Sequence, residues 1–162
     1  MIKLLIIIIL LTFSSTYGQD IEYGGTYTYG TTPDSGRTGM ISIYPNSDST
    51  LLFYLELNRG APSYNSGAIV GQMNVYSPGK ADFTMINEND YINCSLNFRF
   101  SNDSLFIRAN AQADDCGYGH AVHSKGDFKK TRNEIPEYFI ERSGEKTWFK
   151  DLDWVKWWDW WD

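Results

Sequence analysis

The sequence is poor in cysteine, histidine, proline and positive charge, and no tryptophan precedes Trp148. Two cysteines are too few for a disulfide-dense miniature scaffold, and with two histidines they form no ligand set of zinc spacing. The 5 prolines and 14 glycines fit neither a collagen-like repeat nor a low-complexity chain. Lys and Arg number 14 against 20 Asp and Glu, a net charge of −6, so nucleic-acid binding by counterion release has no electrostatic basis. No serine stands in a strand-to-helix elbow and no glycine-rich phosphate loop is present. A carboxylate pair of the glycosidase kind has no sequence spacing by which to be read. The expectation is a protein that is not an enzyme and needs neither cofactor nor metal.

What is there begins with a leader. Lys3 precedes the apolar run Leu4 to Phe13, followed by Ser14, Ser15 and Thr16, with Thr16 and Gly18 placed for cleavage before Gln19. The run is well short of the ~20 residues that span a bilayer, so residues 1–18 read as a cleavable signal peptide rather than an anchor. The mature chain is expected to be soluble and exported, periplasmic or extracellular. Cys94 and Cys116 are an even pair in such a chain. Their pairing predicts a structural disulfide worth about 3 kcal/mol in the chain-entropy model.

Alternation of period two dominates the rest. Ile92, Cys94, Leu96, Phe98 and Phe100 face one way and Asn93, Ser95, Asn97 and Arg99 the other, the pattern of a half-buried strand. Leu51 to Leu57 and Leu105 to Asn110 alternate likewise, with weaker examples at Tyr27 and Tyr29, Ile41 and Ile43, Ile69 to Val75, and Ala81 to Met85. Turn chemistry separates them at Pro33 to Gly36, Pro45 to Asp48, Ser77 to Gly79, Asn87 to Asp90 and Ser101 to Asp103. Links this short join antiparallel neighbours, because a parallel crossover needs a dozen or more residues. The fold class is therefore all-β: an antiparallel meander of about eight strands over residues 19–130. It is expected to close into a small barrel, with an open two-sheet sandwich as the alternative. The similar segments Gly25 to Thr28 and Gly126 to Lys129 are expected to pair and complete the closure. Residues 131–150 read as an appended β-hairpin, and residues 151–162 as a tail.

All six tryptophans lie between Trp148 and Trp161. Trp154, Trp157, Trp158 and Trp161 share one face of a helix, which predicts a short amphipathic tail helix. Its indoles have three competing roles: core docked on the barrel, a membrane-interface face, or anchors for a ligand or protein. The tail's excess of aspartate makes membrane contact the less favoured. The Asn58 to Asn65 connection is longer than a tight hairpin needs and offers Arg59 and Tyr64. Asp114 to His120 offers Tyr118 between two glycines. Each is read either as a binding loop or as plain turn geometry. His120 and His123, three apart on an extended chain, face opposite sides and do not converge on one metal.

The leader, the glycine–aromatic bookends, the Asn58 to Asn65 loop and the Cys116-Gly117-Tyr118-Gly119 turn resemble a group of small exported bacterial β-barrel proteins of uncharacterised function. The chain is also similar, more loosely, to the periplasmic lysozyme inhibitors, small barrels that present a Ser-Gly-x-x-Tyr loop to the lysozyme cleft. Ser35-Gly36-Arg37-Thr38-Gly39 matches the first two positions and carries glycine in place of the tyrosine. That resemblance implies Ser35 and Arg37 as contacts. Together these readings predict a monomeric exported binding protein that meets a protein or glycan partner through Arg37, Arg59, Tyr64 and Tyr118. The alternative is an envelope-associated module docking through its tail.

Overall fold

Alternating apolar residues give each strand one face that must be taken out of water, and eight such strands in series do this by wrapping round one core. The computed structural model describes residues 22–87 and 92–156. Its strands are β1 (Gly25–Tyr29), β2 (Thr38–Pro45), β3 (Thr50–Asn58), β4 (Ser66–Ser77), β5 (Lys80–Asn87), β6 (Ile92–Ser101), β7 (Ser104–Asp115) and β8 (Gly126–Arg132). Each pairs antiparallel with the next. β1 also pairs with β8, Tyr27 opposite Lys130 and Thr28 opposite Lys129, which closes the barrel as the bookends predicted.

The interior is filled by the inward-facing set of every strand, including Tyr27, Ile41, Phe53, Leu55, Phe83, Phe98, Ile107 and Phe128. Rings meet edge to face, as between Phe53 and Phe83 at 5.2 Å, the arrangement that ring quadrupoles favour. The predicted Cys94–Cys116 disulfide is present and ties the start of β6 to the segment that leaves β7.

The appended hairpin is also present, as β9 (Tyr138–Ile140) and β10 (Lys146–Trp148), with β8 running on to Arg132 before it. It packs on the outside of the barrel. Leu52, Tyr54 and Val70, which point away from the interior, are buried beneath Phe139 and Phe149, with Tyr44, Ala68, Leu152 and Trp154 round them. Phe139 stacks on Tyr54 at 4.3 Å and Phe149 on Tyr44 at 5.6 Å. β3 is thus buried on both faces, which explains why Leu51 to Leu55 carries only aliphatic and aromatic side chains.

From Leu152 to Val155, within the described part of the tail, the chain does not take up the predicted helix. After β10 the chain makes a 3-10 turn, Phe149–Asp151, and becomes extended at Leu152 (φ −76°, ψ 112°). The Asp153 carboxylate then accepts from the Lys156 amide at 3.4 Å and pairs with its ammonium at 3.2 Å, which fixes a turn at Trp154 and Val155. No helix of seven or more residues occurs among the described residues. The reason is that Trp154 is drawn onto the barrel and Asp153 bonds locally, and both pin a non-helical course. Trp157, Trp158 and Trp161 lie outside the described residues, as do the leader and residues 88–91.

Closure is incomplete along one line. β4 and β5 pair only where Asn74, Val75 and Ser77 face Asp82, Ala81 and Lys80. Beyond that point no ladder among the described residues joins Ser66–Met73 to β5, and a seam opens toward the end of the barrel that carries the β3–β4 connection.

Candidate functional site

The β1–β2, β3–β4 and β7–β8 connections emerge together at one rim, as up-and-down topology requires, and hydrogen bonds stitch them to one another. In the β3–β4 loop the Arg59 amide donates to the Asn65 carbonyl at 2.8 Å and the Tyr64 amide to the Gly60 carbonyl at 2.9 Å. Gly60 has φ +84° and lies directly on the Gly36 carbonyl of the β1–β2 loop, where no Cβ fits. Beside it the Ala61 amide donates to the Pro33 carbonyl at 2.9 Å. The Asn65 amide group reaches the third loop, donating to the His120 carbonyl at 2.8 Å.

The residues singled out in the sequence occupy different positions on this rim. Tyr64 is held in a left-handed conformation (φ 51°), is 48 % exposed, and donates its phenol proton to the Asp34 carboxylate at 2.6 Å. That bond raises its phenol pKa, since the proton is shared with an anion. Arg37 is exposed and donates to the His123 carbonyl at 3.4 Å, joining the first loop to the third. Arg59 is half-buried at the base of its loop. Ser35 folds back, its hydroxyl donating to the Thr32 carbonyl at 2.8 Å.

Tyr118 is turned inward. Its ring lies against Gly67, so closely that a side chain there has no room, and its oxygen accepts from the buried Ser124 hydroxyl at 3.2 Å. Burial pushes its phenol pKa up. Tyr118 therefore stops the barrel mouth and holds the rim loops from below instead of projecting as a contact. Among the described residues no three His, Cys, Asp or Glu side chains cluster to hold a metal, and His120 and His123 contribute carbonyls to the loop network.

Where the seam meets the rim there is a cleft of about 790 Å³, within the usual range for a ligand site. One wall is the β4 edge from Ser66 to Val70, the other Ile92, Cys116, Gly117 and Gly119, and the hairpin turn Glu141 to Ser143 overhangs it. Tyr54 lines the cleft, and its hydroxyl has no hydrogen-bond partner among the described residues although the residue is 1 % exposed. Desolvation raises that phenol, with Glu56 adding to the effect and Arg142 opposing it. At the inner end of the seam Trp154 packs against both the interior and the outer cluster, its ring 6.4 Å from Phe83.

Sequence reasoning missed this cleft, because Tyr54 looked like one more outward residue of β3. It also missed the outer face of the hairpin. There Tyr138 and Trp148 lie 5.4 Å apart, with the Lys146 ammonium 3.6 Å and 4.1 Å from their ring centres. Alternation at 138/140 and 146/148 carried that signal.

Comparison with family models, with curated proteins and with solved structures gives no match for this chain.

Proposed function

We propose that this chain is an exported, non-enzymatic binding protein that recognises a protein partner through the rim, most concretely as an inhibitor that sets its loops against a lysozyme. The observation that supports this reading is the cross-linking of three loops into one surface by the Tyr64–Asp34, Arg37–His123 and Asn65–His120 bonds. Loops fixed to one another before contact lose little entropy on binding, which is how a rigid scaffold turns loop side chains into a recognition site. The surface carries what such sites use: an exposed tyrosine, an exposed arginine, and a second arginine at their base. The disulfide fits an oxidising compartment, in keeping with export through residues 1–18. No helix among the described residues is long and apolar enough to cross a membrane.

The test uses the purified chain without residues 1–18 and a panel of lysozymes, read by cell-wall lysis and by direct binding. At least one lysozyme is expected to be slowed. The double variant Arg37→Ala, Tyr64→Ala is expected to bind about tenfold or more weakly, with an unchanged thermal midpoint. Undiminished binding by that variant removes the rim from the proposal, and a panel left fully active removes the inhibitor form.

A further inference from the structure

We infer that the cleft at the open end of the β4–β5 seam is a docking site for an aromatic, acidic segment, and that its occupant is the chain's own C-terminal stretch, residues 157–162. This goes beyond the rim reading and does not depend on it. Three features of the site call for an occupant. Among the described residues the β4 edge from Ser66 to Met73 has no strand paired with it on the β5 side, and such an edge pairs readily with an extended segment. The Tyr54 hydroxyl, on a residue that lines the cleft, is buried and lacks a partner among the described residues, so it calls for an acceptor. Arg142 overhangs the same space and forms no ion pair among the described residues.

The segment Trp157-Trp158-Asp159-Trp160-Trp161-Asp162 supplies the complement: indoles for the half-buried Ala68 and Ile92 of the cleft walls, and carboxylates for Tyr54 and Arg142. Its origin is also in place. Trp154 is already seated where the seam begins, beside Phe83, and the Asp153–Lys156 turn redirects the chain at that point. From Gly71 to Ser66 the unpaired edge is about 17 Å long, and six extended residues span about 20 Å, so the tail reaches the rim end of the cleft. Docked there, it lays its indoles along the seam and brings a carboxylate under the hairpin turn.

Four of the six tryptophans belong to this segment, so the intrinsic emission of the intact protein reports chiefly on it. The full chain is expected to show blue-shifted emission, and acrylamide quenching several-fold weaker than in urea. Arg142→Glu, at an exposed turn, is expected to shift the emission to the red and at least double the quenching constant while the far-ultraviolet spectrum stays unchanged. Tyr54→Phe is expected to act in the same direction. Native emission that quenches as in urea overturns the inference, and so do two variants that both quench as wild type. Emission that reddens on dilution to nanomolar chain also overturns it, by assigning the site to the tail of a second copy.

Discussion

Gly60 shows how much of the rim rests on single residues. Its positive φ and its contact with the Gly36 carbonyl leave no space for a methyl group, so Gly60→Ala must separate the β1–β2 and β3–β4 loops as well as strain the backbone. A loss of about 2 kcal/mol is expected from urea unfolding, together with faster proteolysis in both loops. The sequence marked Arg59 and Tyr64 as loop residues through their neighbours Gly60 and Pro62. Such residue types predict a turn but not what the turn lies against. Tyr118 illustrates the same limit, since glycines on both sides allow a ring to point either way, and only the vacancy over Gly67, fifty residues earlier, decides that it points inward.

Among the elements, β3 and the hairpin depend on one another. The outer face of β3 is apolar because Phe139 and Phe149 cover it, and the hairpin has only that face to rest on, since a lone two-stranded ribbon is marginal in water. Phe149→Ala removes a fully buried ring that meets both Tyr44 and Phe139. It is expected to cost about 3 kcal/mol in chemical denaturation and to raise binding of a hydrophobic dye, as Leu52, Tyr54 and Val70 become uncovered. Eight strands, their antiparallel order and their closure were legible, because period-two burial and short polar turns are local signals. The docking of the hairpin was not. An apolar residue on the outward side of a strand looks the same whether it meets solvent or a distant segment. The described part of the tail is not helical for a related reason: tryptophan spacing records a pattern of faces, while the course from Leu152 to Val155 is set by the barrel beneath Trp154.

For the molecule as a whole, the buried phenols set an upper limit on pH. Desolvation holds Tyr27, Tyr54 and Tyr118 above the usual phenol value near 10. The native state therefore keeps protons that the unfolded chain gives up. The stability they contribute is complete below about pH 10 and is lost as the pH rises beyond it. Phenolate absorbance is expected to include a fraction, from Tyr27, Tyr54 and Tyr118, that ionises only as the barrel opens. Ionisation of every tyrosine while the far-ultraviolet spectrum is still native would contradict their burial.

Pairing β1 with β8 also has a consequence for the order of events. A strand that begins at Gly25 gains its second neighbour only when Arg132 has arrived, and β3 is covered only some fifteen residues later still. A chain threaded N-terminus first through a translocation channel would emerge with sticky, half-made sheet and would have to be shielded or delayed until the hairpin was across. The appended hairpin is thus the segment that releases the barrel from that hazard.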